Sequence, residues 1–331
     1  MKTRIRRVIV GILFAALVGP AVARQPSGTP EDDGPKVRSA SALVMDQETR
    51  EVLYSKNESA VVPIASITKL MTALVTLDAQ LSLDEEVIID RQDVTIAKGS
   101  RMRSALRVGL KLTRDDLLRI ALMASENRAA AALGRSYPGG LEAFVEAMNA
   151  KAQLLGMSDS RFVEPTGLSA ENVSSAGDLV KLVEAAQAYP LIPEYSTASS
   201  HEIAVGKRKL AFHNTNRLVA SPTWEIGLQK TGFIRAAGRC LVMQANVAAR
   251  PLVIVLLDSV GKYTRIGDAN RLRRWLEETV GLDARGARAA QPTQPPIRPS
   301  AFTQPTLTAY DSGSANGSRV RVQYPSPTSY W

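Results

Sequence analysis

The chain has 331 residues, 45% of them hydrophobic and 22% charged, which is the range of an ordinary globular protein and excludes disorder throughout. One cysteine, Cys240, cannot pair within the chain, and two histidines, His201 and His213, cannot build a zinc site that needs several Cys or His ligands. The net charge of +9 sits mostly at the ends, in Lys2, Arg4, Arg6 and Arg7 and in five arginines against Asp311 over residues 284–331. The stretch between is nearly neutral, which argues against a dedicated nucleic-acid surface.

Residues 1–23 combine a basic start, an apolar run over 8–18, Pro20 and the small-residue pattern Ala21-Val22-Ala23, the pattern of a secretory signal peptide cleaved after Ala23. The apolar run is shorter than the roughly 20 residues that span a bilayer, so no membrane span is expected after cleavage. No cysteine follows it to carry a lipid, and a single cysteine suits an oxidising compartment. Residues 24–36 read as a polar linker, and one domain is expected over 37–283.

Within that domain, alternating apolar residues predict strands over 41–46 and 52–54, joined by a turn at 47–50. From Ser66 the apolar spacing becomes helical, closely following Pro63. Thr113 with Asp116 resembles a capping box opening a helix over 114–123, and helices follow over 141–155 and 178–188. Residues 201–205 and 207–212 flank Gly206 as a hairpin, 227–233, 240–245 and 252–258 read as strands of a buried sheet, and 265–280 as a closing helix. The sum is an α+β fold: one antiparallel sheet of about five strands with helices packed on both sides. Residues 284–331 hold seven of the 18 prolines and no sustained apolar period, and are expected to form a disordered tail.

With metal and thiol chemistry set aside, the search is for an activated hydroxyl. Ser66 and Lys69 are three apart at a predicted helix start, so the amine can reach the hydroxyl, and a helix N-terminus favours developing negative charge. Ser259 and Lys262 share the spacing, so the pair alone is weak. Two later segments add to it: Ser125-Glu126-Asn127 just after a predicted helix, and Lys230-Thr231-Gly232 on an apolar strand. Singly, each has a plainer reading as a cap, a solvated strand residue or a bend. Cys240 reads as a small buried strand residue rather than a nucleophile.

SxxK, SxN and KTG in this order are the signature of penicillin-binding proteins and serine β-lactamases, and the chain resembles that superfamily. Pro63-Ile64-Ala65-Ser66-Ile67-Thr68-Lys69-Leu70-Met71-Thr72-Ala73, Glu164-Pro165-Thr166-Gly167-Leu168, Phe212-His213-Asn214-Thr215-Asn216 and Trp224-Glu225-Ile226-Gly227-Leu228-Gln229-Lys230-Thr231-Gly232 are similar to low-molecular-mass D-alanyl-D-alanine peptidases. Glu126 and the run Ala237-Gly238-Arg239-Cys240-Leu241-Val242-Met243-Gln244 resemble the periplasmic endopeptidase branch.

The resemblance implies a β-lactamase/transpeptidase-like fold and an exported, periplasmic serine endopeptidase. Cross-linked peptidoglycan and β-lactams would be its ligands, with no cofactor and no nucleic acid. It assigns Ser66 as nucleophile, Lys69 as general base kept neutral by the charge of Lys230, and Ser125 as the relay to the leaving amine. Asn127 would orient Lys69 and the substrate amide, while Lys230 and Thr231 would attract a carboxylate. Gly232 would let the substrate backbone lie against the strand, and the Ser66 and Phe233 amides would form the oxyanion hole. A DD-carboxypeptidase is the nearest alternative, a β-lactamase using Glu164 is a weaker one, and a non-catalytic peptidoglycan-binding scaffold is the alternative from another class. Two departures stand out: Arg50 where related chains often carry glycine, and Ala236 in place of an acidic residue common after KTG in the endopeptidase branch.

Overall fold

In the computed structural model, which describes residues 34–99, 103–206 and 208–288, two antiparallel strands, β1 (Ser41–Asp46) and β2 (Val52–Lys56), lead into the short strand β3 (Val62–Pro63). A 3-10 turn over Ala65–Ile67 precedes α1 (Thr68–Asp78). A mostly helical section follows: β4 (Glu86–Ile88), α2 (Arg91–Ile96), β5 (Lys111–Thr113), α3 (Arg114–Met123), α4 (Asn127–Arg135), α5 (Gly140–Leu154), β6 (Val173–Ser174), α6 (Ala176–Gln187) and α7 (Leu191–Thr197). The chain continues as a separate hairpin, β7 (Ser200–Val205) and β8 (Arg208–His213), a second 3-10 turn over Arg217–Ala220, the long strands β9 (Glu225–Ile234), β10 (Gly238–Val247) and β11 (Arg250–Ser259), and α8 (Thr264–Arg288).

The main sheet has the order β2-β1-β11-β10-β9, antiparallel throughout. Its central strands are apolar on both faces because both faces are covered. Leu43, Met45, Val242, Val253, Val255 and Leu257 point into the large core shared with α1, α3, α4 and α6. The alternate residues Ala42, Val44, Leu241, Met243, Ile254 and Leu256 pack on Ala269, Leu272 and Leu276 of α8. The period of two divides each strand between two helical layers, and α+β architecture with a five-stranded antiparallel sheet follows.

Helix starts obey local chemistry. Thr113 accepts from Asp116 N at 3.1 Å, as its spacing predicts, and Ser175 caps α6 in the same way. Asp90 and Asp93 form a reciprocal capping box at α2, a short helix for which the sequence reading made no provision. Arg50 takes φ 63, the left-handed conformation that glycine adopts freely, and so completes the β1–β2 turn at a steric cost. Among the described residues no helix is long and apolar enough to cross a membrane. The expected signal peptide and residues 289–331 of the expected tail lie outside the described residues, whereas α8 runs on through 284–288, past the expected helix end at 280 and into the stretch expected to be disordered.

Candidate active site

Ser66 lies in the 3-10 turn and not in the helix, a correction to the expected helix start at this residue. The cause is Ala65, whose φ of +49 breaks the helical path just before the serine. That strained turn is held from outside. Ile64 N donates to Asn172 O at 3.1 Å, Thr68 Oγ1 to Ala65 O at 2.8 Å, and Thr72 Oγ1 to Pro165 O at 2.7 Å. The loop carrying Pro165 is itself organised by Glu164, whose carboxylate accepts from Thr166 N and Gly167 N, both at 2.6 Å, and from Ser169 N at 3.2 Å.

Lys69, on the first turn of α1, is 1% exposed. Its Nζ donates to Ser66 Oγ at 2.9 Å, Asn127 Oδ1 at 2.7 Å and the Thr166 carbonyl at 2.5 Å. An ammonium has three N–H bonds and these acceptors match all three; a neutral amine would keep two and turn its lone pair to the third. Burial brings the Lys69 pKa down to about 8, against an opposing pull from the negative charges of Glu164 and Glu126. Desolvation is therefore the principal cause of the shift.

Ser125-Glu126-Asn127 forms the turn between α3 and α4, and Ser125 has φ +58, a second left-handed non-glycine residue at the site. Glu126, not Ser125, caps α4: its Oε2 accepts from Ala129 N at 2.6 Å. The Ser125 hydroxyl is thereby left for Lys230, whose Nζ donates to Ser125 Oγ at 2.9 Å and to Thr231 O at 3.0 Å. Lys230 is fully buried, and desolvation, reinforced by the positive charges of Lys69 and Arg265, lowers its pKa well below the ordinary value.

Lys230-Thr231-Gly232 lies on β9, the last strand of the sheet, beside the Ser66 turn. A Cβ on Gly232 would lie 2.9 Å from Ile64 O and 3.1 Å from both Ala65 Cβ and Ser66 N. The side chain absent at Gly232 would thus strike the serine turn, a different reason for glycine from the substrate contact expected. Thr231 Oγ1 meets Thr215 Oγ1 at 2.6 Å, and Thr215 N donates to Met123 O at 3.2 Å, tying the loop after β8 to the end of α3. Arg265 reaches from α8 to donate to Gly232 O at 2.8 Å and Cys240 O at 3.1 Å. The half-buried Phe233 ring lies 4.6 Å from the Arg239 guanidinium.

Hydrogen bonds join Ser66, Lys69 and Asn127 in one group and Ser125 and Lys230 in another, and Gly232 brings Thr231 and the rest of β9 against the serine turn, while the Phe233 ring packs on Arg239. The profile of a peptidase family described as D-alanyl-D-alanine carboxypeptidase matches residues 28–261. The chain belongs to this family. A D-alanyl-D-alanine endopeptidase of Pseudomonas aeruginosa is 49% identical over 286 residues, covering 84% of this chain and 89% of that protein. One from Escherichia coli is 45% identical over 278 residues, covering 83% and 89%. Among solved structures, a Streptomyces DD-transpeptidase superposes with a TM-score of 0.68 at 26% identity, covering 75% of this chain and 98% of that one. The chain is thus a serine-type D-alanyl-D-alanine peptidase with the transpeptidase-like fold.

Several parts of this peptidase's site have a structural role that their sequence does not announce. Glu164-Pro165-Thr166-Gly167 and Thr215 lie in segments noted for their resemblance, but no local pattern reveals that they clamp the serine turn or bond Thr231. Arg265 carries no sequence signal at all. Glu164, considered as a deacylating carboxylate, spends its oxygens on three backbone amides and on Asn172 Nδ2 at 3.0 Å, a structural task. His201 pairs with Asp116 at 2.8 Å, and His213 is exposed on β8.

Proposed function

We propose that the protein is an exported endopeptidase that hydrolyses D-alanyl peptide cross-links of peptidoglycan through an acyl-enzyme on Ser66. One observation carries the chemistry: a buried lysine amine 2.9 Å from a serine hydroxyl, with its pKa drawn down to about 8. The endopeptidase assignment draws on the two relatives of that name, similar over more than four fifths of the chain.

In the neutral state Lys69 keeps its bonds to Asn127 Oδ1 and Thr166 O and accepts the Ser66 proton as Oγ attacks the carbonyl carbon of D-alanine. The Ser66 and Phe233 amides stabilise the resulting oxyanion, at about 3 kcal/mol per donor. On collapse the C–N bond breaks, and Ser125, bonded to Lys230, relays the proton held by Lys69 to the departing amine, which leaves Lys69 neutral again. Asn127 holds Lys69 and the substrate amide in line. Lys230 and the Thr231 hydroxyl attract the carboxylate of the leaving residue, and Gly232 keeps β9 close to the serine turn. Water then hydrolyses the ester, with Lys69 taking its proton and returning it to Ser66 Oγ as the ester bond breaks. β-Lactams acylate the same serine.

The signal-peptide pattern over residues 1–23 supports export to the periplasm, with a mature catalytic domain over 37–283. The family description favours a second reading, removal of the terminal D-alanine of the pentapeptide by the same acylation chemistry. Incubating mature protein with a purified D-alanyl-cross-linked muropeptide dimer and weighing the products separates the two. Monomers with wild type, and none with Ser66→Ala, support the endopeptidase. An intact dimer alongside trimmed pentapeptide moves the assignment to the carboxypeptidase.

A further inference from the structure

Glu126 stands between two residues of the proposed machinery, yet the steps above give it no task. Its side chain is 8% exposed, and among the described residues it forms no salt bridge. A buried carboxylate is costly unless donors and charge compensate it, and a helix start is capped better by Ser, Asp or Asn. A longer acidic residue here therefore calls for another reason.

Its surroundings supply one. Glu126 Oε2 accepts from Ala129 N, and the Ser104 hydroxyl is a second hydrogen-bond partner. Ser104 Oγ in turn accepts from Leu106 N at 3.0 Å, and Arg128 donates to the carbonyl of the fully buried Leu106. The turn bearing Ser125 and Asn127 is thereby moored to residues 104–106 at two points. Burial pushes the Glu126 carboxyl pKa up, and its bonds to Ser104 and Ala129 N, with the facing positive charges of Lys69 from α1 and Arg128 from α4, oppose that rise. The charged groups that face Lys69 are Glu126 and Glu164, while Lys230 on β9 couples to it with the opposite sign. Burial beside a second lysine would alone make Lys69 a weak base; a nearby anion keeps it able to take the serine proton.

We propose that Glu126 is a positioning residue of the acylation step: its carboxylate stabilises the protonated form of Lys69, which bonds the adjacent Asn127, while its bonds to Ala129 N and Ser104 hold the Ser125–Asn127 turn against the two lysines. The inference rests on the acyl-enzyme reading above.

The test is the rate of penicillin acylation from pH 5 to 10, followed by intact mass, for wild type, Glu126→Gln and Ser104→Ala. Removing the negative charge favours neutral Lys69, so the acid limb of Glu126→Gln moves to lower pH by about one unit. Ser104→Ala, which weakens the carboxylate form without removing the cap, moves it the same way by less. Acid limbs that coincide with that of wild type overturn the proposal and leave the acyl-enzyme intact as a reading. If Glu126→Gln does not fold, Ser104→Ala decides by the same criterion. A wild type that gains no penicillin mass at any pH overturns the acyl-enzyme, and the role of Glu126 with it.

Discussion

Gly167 faces the Ala65 carbonyl so closely that a β-carbon added to it would lie 2.0 Å from the Ala65 oxygen and 2.9 Å from Ser66 N. Its φ of +78 is a second barrier to any other residue. Gly167→Ala should push the loop off the serine turn, disturbing both the Lys69 bond to Thr166 O and the Ser66 amide. The expected outcome is a destabilisation of about 3 kcal/mol or more and loss of penicillin labelling, checked by thermal melting and intact mass.

The rate of Ser66 acylation should rise with pH. The proposed base works as the neutral amine, and the Lys69 pKa lies at about 8 in place of 10.5, so the competent fraction grows as pH climbs through 8. A rate profile from pH 6 to 9 should give a single acid limb centred near that value. A flat profile would falsify the assignment of Lys69 as base.

Thr215→Val removes the 2.6 Å contact with the Thr231 hydroxyl and keeps the side-chain shape. Loss of one such hydrogen bond is worth about 1 kcal/mol, which corresponds to a fall of about fivefold in kcat/KM for muropeptide cleavage. The melting temperature should move little, since Thr215 is half-buried in the loop after β8.

The β10–β11 turn carries Ala248 and Ala249 at φ 52 and 62, where glycine or asparagine is the usual choice. Ala249 is exposed, so Ala249→Gly relieves strain without opening a cavity. The melting temperature should rise by about 2 °C with the acylation rate unchanged. A lower melting temperature would mean that the alanine makes contacts worth more than the strain.

The sequence alone carried the long periodic elements and the order of the three motif segments. β1 and α3 have the bounds their patterns predict, and β9, β10 and β11 differ from prediction only at their ends, because each buries enough apolar surface for its own period to be legible. Two-residue strands such as β3 and β6 carry no period, so their pairing, Val62 with Ser174 and Pro63 with Val173, could not be read from it. The segments bearing Ser66, Ser125 and Lys230 can be found along the chain, but the contacts among them join distant residues: Lys69 to Thr166 spans 97 positions and Lys230 to Ser125 spans 105.

Tertiary structure alone decided why each group is there. It traced the lowered pKa of Lys69 chiefly to burial, turned the missing side chain of Gly232 toward the serine turn, and gave Glu164 to backbone amides. A residue's electrostatic environment and the space around its β-carbon are set by whatever the fold packs against it. Neighbours in sequence hold no record of that.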